Sequence, residues 1–305
     1  MNRRHILQAL VSSPYLAGAG SLIVRADTAG PVAHPLNERL TLITGAGGNV
    51  VLHRGDSGLT LIDSGHHEHT GALLALVDEL TDGMPVHTLF NTHWHADHTG
   101  GNEALHMRGA SIHAHENTRL WLGADFDVHW RKHHHHPRPV AALPDTTFYH
   151  DGTLQLDGDS LAWQHYPQAH TDGDITLHFA SSKLLVSGGL LSDGRYPICD
   201  IATGGWIGGL IEANAMMLER IDDDTILIPD RGLPRRKADL VVQHAMLSDL
   251  YTKMKALAQE GHSGQDMLDV KVTADYDAVW GDPTEFVLET YRGMWAHTYD
   301  MGGFI

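Results

Sequence analysis

Apolar and polar positions alternate in short blocks over the first part of the chain. Leu40-Thr41-Leu42-Ile43-Thr44, Asn49-Val50-Val51-Leu52-His53 and Leu59-Thr60-Leu61-Ile62-Asp63 are separated by Gly45-Ala46-Gly47-Gly48 and Arg54-Gly55-Asp56-Ser57-Gly58. Such blocks predict strands joined by tight turns. The period then changes. From His69 to Leu80, apolar Leu73, Leu76, Val77 and Leu80 recur at helical spacing and Asp82-Gly83 closes the run, predicting an amphipathic helix. Val86 to Phe90 reads as a buried strand. Asn102 to Gly109 reads as a short helix with Asn102 as its cap, Ser111 to His115 as a strand, and Glu116 to Leu122 as a helix.

A second group of strands follows at 147–150, 152–156, 161–166, 175–179 and 183–187. Ala202 to Arg220 then predicts a helix, Thr225 to Pro229 a strand, and Ala238 to Glu260 a long helix stopped by Gly261. Gly30 to Pro35 reads as a proline-containing linker, and Asp125 to Pro144, with four consecutive histidines (His133, His134, His135, His136), as a long solvated loop near the site. Two strand-rich halves, each followed by helices, predict a layered α/β sandwich and not a Rossmann sheet.

One stretch breaks this pattern. Asn91-Thr92-His93-Trp94-His95-Ala96-Asp97-His98-Thr99-Gly100-Gly101 packs three imidazoles and a carboxylate between a predicted strand and a predicted helix. Imidazole and carboxylate at this spacing are metal-ligand chemistry on a loop held rigid at both ends. Trp94 reads as a core or pocket-wall aromatic. His113 and His115 read as packing and hydrogen-bonding residues.

Composition narrows the partners. Asp and Glu number 38 against 21 Lys and Arg, a formal charge of −17, which argues against nucleic acid or an anionic membrane surface and leaves a small-molecule substrate. A single cysteine, Cys199, excludes an intramolecular disulfide and a cysteine-built zinc site. The oligomeric state is left open. Residues 1–26 read as a twin-arginine-type signal: Arg3-Arg4 precede a mostly apolar run, and Val24-Arg25-Ala26 supplies a small-residue cleavage site before Asp27. The expectation is export to the periplasm, with residues 27–305 as one domain.

The motifs Asp63-Ser64-Gly65, Thr92 to Asn102, Ala114-His115-Glu116-Asn117-Thr118-Arg119 and Ala169-His170-Thr171-Asp172-Gly173-Asp174 together resemble the metallo-β-lactamase-fold hydrolases over almost the whole mature chain. More closely, the chain looks like an exported bacterial branch described as cyclase-like or quinoprotein-associated. The resemblance implies a four-layer αβ/βα sandwich with the site at the edge of the two sheets. It implies that His93, His95 and His170 bind a first zinc, leaving a position for a water acidified to a pKa of about 7. Asp97 would orient that water or take its proton.

The resemblance also implies a second zinc held by Asp97, His98, a bridging carboxylate and a last histidine. This chain departs there: Gly189 stands at the carboxylate position and Arg231 at the histidine position. Glycine offers no side-chain ligand and arginine stays protonated. The expectation is a mononuclear zinc centre in which Arg231 occupies the second metal's space, pairing with Asp97 or holding a substrate carboxylate; the alternative is an arginine merely paired with Asp230 in a decayed site. His66 and His67, just past a strand end, are candidate pocket residues. The function expected is an exported zinc hydrolase acting through metal-bound hydroxide on an ester, lactone or amide, β-lactams included. The competing expectation is a non-catalytic binding protein that kept the fold after losing one metal.

Overall fold

A computed structural model describes residues 30–297. The 1–26 signal expectation lies outside the described residues.

The first sheet has seven strands in the order β1 (Val32–Pro35), β2 (Leu40–Ala46), β3 (Gly48–Arg54), β4 (Leu59–Ile62), β5 (Val86–Phe90), β6 (Ser111–His115) and β9 (Thr146–Phe148). Strands β1 to β4 pair antiparallel; β4, β5, β6 and β9 run parallel. The parallel half is reached through crossover helices: α1 (Thr70–Thr81) between β4 and β5, and the one-turn α2 (Ala96–Thr99) with α3 (Asn102–Met107) between β5 and β6. A further helix, α4 (Glu116–Leu122), leaves β6. The second sheet is β10 (Gly152–Leu156), β11 (Asp159–Tyr166), β12 (Asp174–Phe179), β13 (Leu184–Gly188) and β14 (Ile226–Pro229) in sequence order. Its last pair is parallel, because α5 (Ile207–Arg220) carries the chain across.

Period-two alternation decides which side chain faces which layer. Leu42, Val51, Ile62 and Phe90 meet Leu161, Leu177, Phe179 and Val186 between the two sheets. Their neighbours in sequence, Ile43, Val50, Leu52, Leu61 and Leu89, face the other way onto Leu73, Leu74, Val77 and Leu105 of α1 and α3. On the far side of the second sheet, Tyr166, Leu185 and Leu227 pack on Leu210 and Met217 of α5 and on Leu240, Leu247 and Leu250 of α6 (Lys237–Gln259). The result is helix, sheet, sheet, helix, the expected four-layer α/β sandwich. Each fully buried leucine or phenylalanine contributes about 2 kcal/mol of transfer free energy.

Several expectations need correction. The linker at 30–35 is strand β1, which pairs with β2 through His34 Nε2 and Thr44 Oγ1 at 2.9 Å as well as through its backbone. Asn102 does not cap α3: Gly101 holds that position, while the Asn102 side chain bonds Asn91 at 2.8 and 3.1 Å and Ser64 at 2.8 Å. The helix expected from Ala202 begins at Ile207, after a short 3-10 turn at Ile201–Thr203. The segment 125–144 is no plain loop: β7 (Phe126–Val128) and β8 (His133–His135) form a two-stranded ribbon in which His135 is buried. After Gly261 the chain forms α7 (Gly264–Asp269), α8 (Asp277–Trp280) and α9 (Thr284–Ala296), with Phe286, Val287 and Met294 completing the outer core. No helix among the described residues is long and apolar enough to cross a membrane.

Candidate metal centre

The site lies where β4, β5 and β11 end and β12 begins. Asp63, immediately past β4, adopts a left-handed backbone with φ of 62°, a conformation that costs a non-glycine residue about 1 kcal/mol or more. Its carboxylate offsets that cost. Oδ1 accepts from the Thr92 backbone N–H at 2.8 Å, and Oδ2 accepts from Thr92 Oγ1 and from His98 Nδ1, both at 2.8 Å. Asp63 therefore fixes both ends of the His93–His98 loop from beneath. Gly100 lets that loop fold back: a Cβ there would sit 2.1 Å from the His67 backbone nitrogen.

His93 and His95 come from the loop, and His170 from the turn between β11 and β12. That turn is tied by Asp174, whose carboxylate accepts from the backbone N–H groups of His170 and Thr171 at 2.7 and 2.8 Å. The three buried rings stand nearly perpendicular to one another, with interplanar angles of 87°, 81° and 86° and centroids 4.6–4.8 Å apart. Their candidate ligand atoms all lie within 4.8 Å of each other.

Hydrogen-bond chemistry fixes which nitrogen of each ring carries its proton. His170 Nδ1 lies 2.6 Å from the Ile198 carbonyl, which can only accept, so Nδ1 donates. His95 Nε2 donates to the Asp200 carboxylate at 2.9 Å. His93 Nδ1 donates to Thr92 Oγ1 at 2.9 Å, because that hydroxyl's own proton is already given to Asp63. All three outward nitrogens are thus N–H donors, and all three inward nitrogens are bare lone pairs. Two of them, His95 Nδ1 and His170 Nε2, face each other at 2.9 Å.

Lone pairs at that separation repel unless a cation lies between them; two zinc–nitrogen bonds of about 2.05 Å at a tetrahedral angle give a spacing of about 3.3 Å. Protonation is no remedy, because burial holds all three rings below the usual histidine range, helped by neighbouring imidazoles at His93 and His170 and by Arg131 at His95. The donor set fits a single divalent ion with outward partners of the kind that orient metal-binding histidines.

The adjacent half of the loop is built differently. Arg131 Nη2 meets Asp97 Oδ1 at 2.7 Å, and Arg231 Nη2 is hydrogen-bonded to Asp97 Oδ2. Burial alone would raise the Asp97 carboxyl, but His98, Arg131 and Arg231 outweigh it and hold it well below the usual carboxylate range. Burial likewise works against charge on His98, yet Asp63, with Asp97 and Asp230 farther off, lifts it above the usual histidine range.

Arg231 is delivered by the turn after β14. Asn49 pins that turn by donating its side-chain amide to the Pro229 and Gly232 carbonyls at 3.0 Å, and Arg231 Nη1 also donates to the Gly47 carbonyl at 2.5 Å. Gly189 offers no ligand and leaves no room for one. A Cβ there would lie 2.1 Å from the His170 ring, so a carboxylate at this position requires His170 to move.

His93, His95, Asp97, His98, His170 and Arg231 thus line one cavity of about 490 Å³, which Trp130, Arg131, Arg195, Asp230, Trp280 and Glu285 complete. Asp230 is half-buried there, with its enclosed Oδ1 lacking a hydrogen-bond partner among the described residues, and desolvation raises its carboxyl despite Arg195 and Arg231. The structure does not bring His66 and His67 into this cavity. They line a neighbouring groove of about 340 Å³ that also touches Arg131.

Trp94 is buried with Leu122 and Val128, and its indole N–H donates to Thr203 Oγ1 at 3.1 Å. His113 packs on Phe90 and His115 stacks on His165, both away from the site. Sequence reasoning did not single out Asp200 or Arg131. Asp200 lies 105 positions from the histidine it orients, and nothing local marks it; Arg131 carries a signal only in its position on a segment expected near the site.

Comparison with known proteins places this geometry. The profile described as metallo-beta-lactamase superfamily matches residues 43–229. No curated protein matches the chain. Among solved structures, a metallo-beta-lactamase from Pontibacter korlensis is similar with a TM-score of 0.59 at 20% identity, over 72% of this chain and 99% of that one. A double mutant of the sec-alkyl sulfatase PisA1 gives 0.67 at 17% identity, over 86% of this chain and 50% of that one. DIM-1 metallo-beta-lactamase gives 0.58 at 18% identity, over 72% and 97%. At these identities the structural likeness is one of fold, whereas the profile spans the strands, the histidine loop and the His170 turn. The chain belongs to the metallo-beta-lactamase superfamily.

Proposed function

We propose that this protein is an exported hydrolase with one zinc ion, cleaving an ester, lactone or amide carbonyl in a small substrate, β-lactams included. The observation that carries the reading is the inward-facing lone-pair triad of His93, His95 and His170, whose proton positions are dictated from outside by Thr92, Asp200 and Ile198. A bound ion supplies Lewis acidity and a water whose pKa is lowered to about 7.

The chain's own residues do the rest. The three imidazoles hold the ion without neutralising its charge. Asp97, kept ionised by Arg131 and Arg231, is a poor proton acceptor but a strong hydrogen-bond acceptor, so its part is to orient a water or substrate N–H. Asp230, half-buried in the cavity wall with a raised carboxyl, is better matched to exchanging a proton. Arg195, more than half exposed at the mouth, and Arg231 are placed to receive a substrate carboxylate in the two-pronged geometry guanidinium favours. The twin-arginine start supports export, with the working protein in the periplasm.

A second reading, a non-catalytic binding protein, is favoured by one observation: both oxygens of Asp97 are taken by guanidinium groups. Chromogenic ester, lactone and β-lactam substrates, assayed beside His95→Ala and with metal content measured on the same preparations, separate the two. Hydrolysis that vanishes in His95→Ala together with one equivalent of zinc supports the enzyme. Two tightly held equivalents at the buried centre sink the one-metal reading, and zinc binding without any turnover favours the second.

A further inference from the structure

The four consecutive histidines form part of a ribbon. In the β7–β8 pair, Phe126 lies opposite His135 and Asp127 opposite His134. Alternation sends Phe126, Val128 and His135 inward, onto Trp94 and Leu122, and sends their neighbours outward. Asp127 and His134 therefore share the outer face, and one step along it Asp125 stands across from His136. The contacts agree: His134 Nδ1 lies 2.7 Å from Asp127 Oδ1, His134 Nε2 2.5 Å from Asp125 Oδ1, and His136 Nδ1 3.6 Å from Asp125 Oδ2, with the two imidazoles 4.6 Å apart. One ligand atom from each of Asp125, His134 and His136 falls within 4.8 Å of the others.

We infer that this outer face is a second metal site, distinct from the buried centre, in which Asp125, His134 and His136 bind a divalent transition ion and Asp127 orients His134. Two imidazoles and a carboxylate suit zinc, nickel or copper over magnesium or calcium. Asp127 plays the part that Asp200 plays for His95: it accepts from the outward nitrogen and so leaves the other nitrogen's lone pair for the ion. The positions left open belong to water, and the site is weaker than the buried one.

Its placement gives it leverage. The connection between the two strands carries Trp130 and Arg131 into the catalytic cavity, where Trp130 lies edge-on to His95 at 5.4 Å and Arg131 holds Asp97. An ion bridging the two strands clips the base of that segment.

Equilibrium dialysis of the untagged full-length chain, stripped of metal, against Zn²⁺ tests this. Two equivalents are expected, one tight and one weaker. His134→Asn with His136→Asn removes only the weaker one, while Asp127→Asn keeps it but weakens it about tenfold. All four side chains are exposed, and a circular dichroism spectrum matching the wild type verifies the fold of each variant. The proposal is overturned if the double variant binds as much zinc as the wild type, in which case an imidazolium between two carboxylates accounts for the contacts. It is overturned equally if the wild type binds one equivalent that the double variant retains. A single equivalent that the double variant lacks keeps this site and removes the buried one instead.

Discussion

The two halves of the His93–His98 loop lie side by side and solve the same electrostatic problem in opposite ways. His93 and His95 present lone pairs inward and need a cation from outside. Asp97 presents a negative charge and already has its cations, Arg131 and Arg231, which are covalent parts of the chain. The first half is incomplete without metal; the second is complete as folded, and a further ion there would have to displace a guanidinium held by a buried carboxylate. The difference shows that a carboxylate beside a set of metal-ligand histidines can have its charge met by side chains of the same chain.

Five experiments can break or sharpen this contrast. The largest effect falls on the lone-pair half. His95→Ala or His170→Ala is expected to weaken zinc binding on the order of a thousandfold, since three ligands share a binding free energy of about 10 kcal/mol or more. Competition with a chromogenic chelator reads it, and a change below tenfold would show that the ion sits elsewhere.

Next comes an attempt to add a carboxylate beside the histidines. Gly189→Asp should weaken the first ion about a hundredfold instead of adding a second, because its Cβ drives into the His170 ring. A gain to two equivalents in that variant refutes the steric argument.

On the guanidinium half, Asp97→Ala strands two arginines and should cost about 2 kcal/mol in denaturant unfolding of the metal-free protein. That is less than the roughly 3–5 kcal/mol of a fully buried pair, because Arg131 and Arg231 are about 30% exposed. Combining it with Arg231→Met should recover part of the loss, and strict additivity would mean the pair does not couple.

A smaller effect tests the outward partners. Asp200→Asn keeps the shape but loses the anionic acceptor for His95, and zinc affinity should fall about tenfold with the ligands intact. No change would mean that the His95 tautomer is set by something else.

The smallest lies outside both halves. Burial first, and then His165, lowers His115 to about 4. The folded state binds that proton less readily than the unfolded chain, where the group titrates near 6.5. Its contribution to stability is therefore intact above pH 6.5 and shrinks as pH falls toward 4. His115→Gln should flatten the unfolding midpoint over that window, measured against Gln substitution of exposed His133 as control.

The sandwich was legible because its layers are written in local periods. Leu42 and Ile43 announce opposite faces of one strand, and Leu73 and Val77 one face of a helix. The histidine triad was legible for a different reason, since two of its members, His93 and His95, stand two positions apart. Elements failed to show where the period is too short to register. Strand β1 has four residues and contains His34 and Pro35; α7 and α8 are only six and four residues long, and Gly281 and Pro283 separate α8 from α9. The ribbon at 126–135 hid behind a run of four histidines of which His135 alone is buried, so its chemistry does not mark the inward position. What no local pattern carries is the outward shell: Asp200 and Ile198 reach His95 and His170 from an irregular stretch, and their relation to the metal exists only in three dimensions.

The hydrogen bond from Arg231 to the Gly47 carbonyl and the clamp by Asn49 have a consequence for how the protein is loaded. They anchor the guanidinium to the first sheet, so half of the centre is assembled once the two sheets have closed on each other. On the one-metal reading proposed above, uptake at the buried centre is then a single late event, with no order of filling to control. Titration with a chelator should then strip the buried centre in one step, leaving a population that is either empty or full there.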